Sequence, residues 1–326
     1  MIVASFLYLK KIGLKMIEKL KEFSMTDKQK FIMENIEYCG EEYFKCFPKK
    51  SVLASGYYSL DDLKKELNNN WWESFKYLLH HAFMRGRKDK LSEQYYEFAV
   101  NELEKCFIDS YEIFQKHEND YKVELPIKNK KDYNYIIKKL ESKNEIVAIL
   151  NRDNKGSKSL NNYKDIILVL EILNFVSNVK NKDKNITNYF IEKIKNGKVK
   201  ECYDNLTGIK FIGPKIASFY LRNLAYVHNI SEISDENLKY FFPMDTWIRQ
   251  VCQKVGIIDN NKLKEFTVRE KIISKCSDNE INPLIFNQGC WVIGYFSFNL
   301  LINLLKMSEK NLKLKELNIV KTSMND

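Results

Sequence analysis

Two residues of this 326-residue chain have types and spacing suited to chemistry, Lys215 and Asp245, which lie 30 positions apart. A lysine amine attacks electrophilic carbon and forms Schiff bases, but only when it is neutral. Its reference pKa of ~10.4 keeps it charged in water. Burial and a helix N-terminus both disfavour the ammonium form, and the sequence predicts both for Lys215. A carboxylate at Asp245 can stabilise developing positive charge and shuttle a proton. The plain alternatives are a solvated lysine among many and an aspartate that merely caps a helix.

The elements that must position these groups run from Leu206 to Arg249. The segment Leu206-Thr207-Gly208-Ile209-Lys210-Phe211-Ile212-Gly213-Pro214-Lys215-Ile216-Ala217 reads as helix, tight turn, helix. Gly213 is expected to free the turn backbone. Pro214 suits the first position of a helix, where no N–H is needed. Ile216, Phe219, Tyr220 and Leu224 continue at helical spacing. A helix N-terminus behind a small-residue turn is a seat for phosphate, so Phe211, Ile212 and Gly213 are candidate contacts to a nucleic-acid backbone. The second segment, Phe242-Pro243-Met244-Asp245-Thr246-Trp247-Ile248-Arg249, places Arg249 one turn after Asp245 on the same helix face. Arg249 could hold the carboxylate, reach a phosphate or lie on the surface.

The two segments resemble the helix-hairpin-helix DNA glycosylases, the endonuclease III and 8-oxoguanine glycosylase superfamily. The family hairpin, roughly L-P-G-V-G-x-K-x-A, aligns with I-K-F-I-G-P-K-I-A; the P-V-D-T of the family's P-V-D-T-x-x-x-R falls on the start of P-M-D-T-W-I-R, whose arginine comes one position sooner. Lys215 falls on the nucleophilic lysine and Asp245 on the catalytic aspartate. Phe211 stands where the first hairpin glycine is usual. The gap between lysine and aspartate is longer than in most members and resembles the archaeal 8-oxoguanine (GO) glycosylase branch. The resemblance covers the 44 residues from Leu206 to Arg249; elsewhere it extends only to helical character.

The resemblance implies an all-α fold of two helical lobes with a cleft between them. Residues 71–228 would form the lobe ending in the hairpin, and residues 1–70 plus 229–326 the other. It implies excision of a damaged base, 8-oxoguanine being the best single expectation, by a Lys215 Schiff base assisted by Asp245, with associated lyase activity. The alternatives are a monofunctional glycosylase, in which water attacks, and a non-catalytic DNA-binding helical protein. By offset, Phe219 and Trp291 resemble base-pocket positions, with ordinary core packing as the competing reading. Asn287, one turn before Trp291, could hydrogen-bond the base. Like Gln288, it sits on a very apolar helix and needs a partner if buried. Met84 to Arg87, including Arg85 and Arg87, matches a loop that approaches DNA in the family, or is a solvated basic turn.

Composition agrees with an anionic partner without requiring one: Lys plus Arg number 53 against 43 Asp plus Glu, a formal charge of +10. A Lys-rich protein of an AT-rich genome would look similar. Hydrophobic residues are 44% of the chain, which excludes a disordered tail. The seven cysteines form no C-x-x-C pair, and only Cys252, Cys276 and Cys290 follow Asp245. Reduced, scattered thiols and no iron–sulfur cluster are therefore expected, with no metal or other cofactor. The apolar start Met1 to Leu9 is too short for a bilayer span and lacks signal-peptide order. A cytoplasmic monomer acting on lesion-bearing double-stranded DNA, with no membrane association, is the expectation.

The remaining chain reads as helices separated by polar connectors. Ser59-Leu60-Asp61-Asp62 has cap spacing. Trp71 to Arg85 carries the apolar stripe Trp72, Phe75, Leu78, Leu79, Ala82 and Phe83. Ser92 is expected to cap the next helix, and Pro283 to Met307 to form a long buried one.

Overall fold

The computed structural model describes residues 25–45, 59–86, 89–107, 111–116, 144–151, 163–179, 185–259 and 263–310. Among them there is no β-strand, in agreement with the all-α expectation. In chain order the helices are α1 (Met25–Lys45), α2 (Leu60–Asn69), α3 (Trp71–Phe83), α4 (Asp89–Phe107), α5 (Tyr111–Lys116), α6 (Glu145–Asn151) and α7 (Tyr163–Ser177). They continue with α8 (Ile186–Lys195), α9 (Val199–Gly208), α10 (Pro214–Val227), α11 (Asp235–Leu238), a 3-10 turn (Lys239–Phe241), α12 (Thr246–Lys254), α13 (Glu265–Asp278) and α14 (Pro283–Lys310). No helix among the described residues is long and apolar enough to cross a membrane. The expectation for Met1 to Leu9 lies outside the described residues.

The chain divides into two compact units, residues 48–233 and residues 1–47 plus 234–326. Helix α2 thus belongs with the hairpin, whereas the sequence reading grouped it with the terminal segments. Its packing explains why. Leu63 and Leu67 are buried, and the Asn185 side chain, which caps α8, also donates to the Leu67 carbonyl (2.8 Å). The cap at Ser59 forms as expected, its hydroxyl accepting from Asp62 N at 3.1 Å.

In the 48–233 unit, α3 is the central element and packs on α2, α4, α7, α8 and α10. All six residues of its predicted stripe are buried. Burying each large apolar side chain contributes ~1.5–3 kcal/mol. Polar contacts tie the centre together: Ser74 Oγ donates to Thr187 Oγ1 (2.8 Å) and accepts from Thr187 N (2.7 Å). Helix α4 begins at Asp89, before the predicted cap. Ser92 is instead a fully buried residue within it.

In the discontinuous unit, α1 packs along α14, and α14 also packs on α12 and α13. The α1–α14 crossing brings backbone against backbone. A Cβ on Gly289 would lie 1.7 Å from the Ile36 carbonyl oxygen, and one on Gly40 would lie 2.1 Å from that of Ile285. These glycines are what permit the approach, so Gly289 is a packing device on α14. Helix α14 is bent at Ser297, which leaves helical geometry (φ −143°, ψ 23°). It is buried only in part: Phe286 to Cys290 are enclosed, whereas Tyr295 and Phe296 are 51% and 43% exposed.

Candidate functional site

The hairpin forms where the sequence places it. Helix α9 ends at Gly208, Ile212 N donates to the Ile209 carbonyl (3.0 Å) across the turn, and α10 starts at Pro214. The residue in left-handed conformation is Phe211, with φ +71°. Gly213 has φ −91°, which any residue adopts, and a Cβ there would meet nothing within 4 Å. The glycine requirement thus falls on the position where the family motif carries glycine and this chain carries phenylalanine. A non-glycine residue in that region costs ~1–2 kcal/mol. The Arg85 guanidinium, 5.3 Å from the Phe211 ring centroid, stacks over it and holds it there.

Arg85 is itself anchored. Its Nη2 donates to Oδ1 of the fully buried Asp165 (2.5 Å), linking the end of α3 to α7 beneath the hairpin turn. Arg85 therefore braces the turn, rather than standing free as a phosphate contact. Arg87 lies outside the described residues.

Lys215 occupies the second position of α10, in the first turn behind Gly213, and its side chain is exposed. The expected helix N-terminus is present, but the expected burial is not. One turn on, Phe219 is half-buried. Its ring contacts the His81 ring (4.7 Å between centroids) and lies under the Arg222 guanidinium (5.2 Å).

Beneath Phe219 runs a buried polar chain that sequence reading missed. Arg222 Nε and Nη2 donate to Asn223 Oδ1 (3.1 and 3.0 Å). Asn223 Nδ2 lies 3.0 Å from His81 Nε2, and His81 Nδ1 lies 2.8 Å from the Tyr77 carbonyl. A carbonyl only accepts, so Nδ1 carries the proton and Nε2 accepts from Asn223. Burial, then the neighbouring His80 and Arg222 charges, push the His81 pKa down to about 3, against the hydrogen bond to Tyr77. Burial alone brings His80 to about 4. The only signal in sequence was an arginine and an asparagine interrupting the apolar run of α10.

Asp245 lies in the other unit, at the N-cap of α12. Its Oδ1 accepts from Ile248 N at 3.0 Å, so the capping role is real, and the residue remains half-buried. Arg249 Nη1 donates to the Leu263 carbonyl (3.3 Å) and ties α12 to the start of α13. Asn287 is fully buried, with Nδ2 donating to the Pro243 carbonyl (3.1 Å). That partner replaces the expected base edge. Trp291 is half-buried; it stacks on Tyr295 (5.3 Å, 7° between planes) and meets Tyr43 edge-on (5.8 Å).

The cysteines are less scattered than their spacing suggested. The Sγ atoms of Cys252 and Cys290 lie 3.9 Å apart in the core of the discontinuous unit. The six described cysteines are free thiols. No group of three or more His, Cys, Asp or Glu side chains among the described residues could hold a metal. Comparison with protein-family models, curated proteins and solved structures finds no match.

Proposed function

We propose that the protein is a DNA N-glycosylase with lyase activity, in which Lys215 attacks the sugar of a damaged nucleotide and Asp245 stabilises the departing state. The observation that carries the reading is the hairpin turn. Its left-handed residue, Phe211, sits where the motif of the resembled family carries glycine, and Lys215 stands second in the following helix. Asp245, the N-cap of α12, supports it.

In this mechanism the damaged nucleotide leaves the base stack before it reacts. The Lys215 amine, having lost a proton, forms a bond to C1′ of the sugar. The glycosidic C–N bond breaks, its electron pair leaves with the base, and the base takes up a proton. The Asp245 carboxylate offsets the positive charge that develops on the sugar. Ring opening gives a Schiff base. Loss of a C2′ proton then expels the 3′ phosphate and nicks the strand. With Lys215 exposed in the protein alone, bound DNA would have to supply the desolvation that the amine needs. The best substrate expectation is 8-oxoguanine in duplex DNA.

That exposure favours one second reading, a monofunctional glycosylase in which water attacks and Lys215 contacts the backbone. Incubation with a panel of lesion-bearing duplexes separates the two. Base release with strand nicking supports the lyase. Base release leaving an intact abasic strand supports the monofunctional enzyme. Release from none of the duplexes refutes both.

A further inference from the structure

We propose that Asn287 is a positioning residue for Asp245, fixing the loop from which the carboxylate projects; the inference rests on the glycosylase reading above. Asp245 is held from two sides. On one, its Oδ1 accepts from Ile248 N (3.0 Å) at the start of α12. On the other, the loop reaches it through Pro243 and Met244, both buried. The Pro243 carbonyl accepts from Asn287 Nδ2 (3.1 Å), a side chain with no exposed surface.

A buried donor of this kind fixes position because its alternatives are few. A buried carbonyl needs a donor, and an amide on a rigid helix supplies one in a single direction. The helix is rigid here because α14 is clamped. Gly289 seats it against α1. Cys290, next along, meets Cys252 of α12 (3.9 Å). A Cβ on Gly294 would lie 2.6 Å from Trp247 Cβ, so α14 and α12 approach without slack. Asn287 thereby transfers the position of α14 to the residues just ahead of Asp245. An amide amid the apolar run of α14 is accounted for without any contact to a base.

The two chemical steps depend differently on Asp245, and this makes the role testable. Base departure builds positive charge on the sugar and needs the carboxylate in register. Addition of an amine to the aldehyde of a preformed abasic site involves no departing base. The Asn287→Leu variant keeps the shape but removes the donor; Asn287→Asp replaces donor by acceptor. Misplacing a catalytic group by ~1 Å can cost ~100-fold in rate. Single-turnover base excision should therefore fall ~100-fold in both variants. Borohydride trapping on a preformed abasic-site duplex should stay within about twofold of wild type, which also reports that the variants fold.

Asp245→Asn should likewise lower single-turnover base excision. Asn287→Leu added to Asp245→Asn should lower excision no further, because the two act through one group. Unchanged excision in both Asn287 variants would overturn the proposal. So would parallel loss of excision and trapping in both, or full additivity with Asp245→Asn. Failure of the underlying reading looks different, because the wild-type protein itself would then release no base.

Discussion

Lowering the pH should loosen the hairpin unit, and the size of the effect follows from its buried histidines. His80 and His81 on α3 and His228 at the end of α10 have pKa values brought down to about 4, 3 and 4, chiefly by burial. Nearby Lys64 and Lys195 add to the effect at His228. Histidine in the unfolded chain titrates near ~6.5. Between that value and the folded values the unfolded state binds more protons, so stability rises with pH across this window. The contribution is fully present above pH ~6.5 and is lost as pH falls. At pH 5 each unfolded histidine gains ~2 kcal/mol from protonation that its folded counterpart does not. Together the three amount to ~6 kcal/mol, a large share of a typical ~5–15 kcal/mol total. Burial raises the pKa of Glu37, Glu93 and Glu171, so the folded state binds their protons first as the pH falls toward ~4.5, which opposes the histidine effect. The comparison is made between pH 8 and pH 5. Urea unfolding followed by circular dichroism should show a clear fall in midpoint at pH 5. A His228→Gln variant should lose about one proton from the pH dependence. An equal or higher midpoint at pH 5 would refute the account of these three side chains.

Three other outcomes follow from the packing. Gly289→Ala places a methyl group 1.7 Å from the Ile36 carbonyl oxygen; forcing α1 from α14 should cost ~3 kcal/mol or more, and a melting temperature within a degree of wild type would contradict it. Arg85→Met takes the guanidinium from buried Asp165, with an expected loss of ~3–5 kcal/mol. Making the change in an Asp165→Asn background should recover a substantial part of it, and equal losses in both backgrounds would argue against the pair. Phe211→Gly removes the left-handed strain of ~1–2 kcal/mol together with the Arg85 stacking. The two should nearly cancel, leaving the unfolding midpoint little changed; a loss above ~3 kcal/mol would mean that the turn depends on the ring.

Much of the local framework was legible because local signals agreed with the final packing. Ser59 capped where its spacing indicated, the α3 stripe was buried throughout, and Gly213-Pro214 marked the start of α10. Proline at the first helical position and a period near 3.6 are local properties and need no partner to be read. The misses involve partners distant in sequence. Arg85 read as a DNA contact or a solvated turn residue because nothing nearby announced Asp165, 80 positions later. Asn287 looked like a base reader because its acceptor, Pro243, lies 44 positions earlier. The φ of Phe211 could not be inferred from its identity, since phenylalanine disfavours that region. The exposure of Lys215 was also beyond the pattern, because position in a helix does not say which face is covered. Asp245 shows the converse. Its capping role was readable from type and position.

The most direct measurement is to trap the protein with borohydride on duplex DNA bearing 8-oxoguanine, digest the adduct and locate the modified peptide by mass. The account predicts one adduct, carried by the peptide containing Lys215 and abolished by Lys215→Gln. Adduct formation at another lysine, or undiminished trapping by Lys215→Gln, would contradict it.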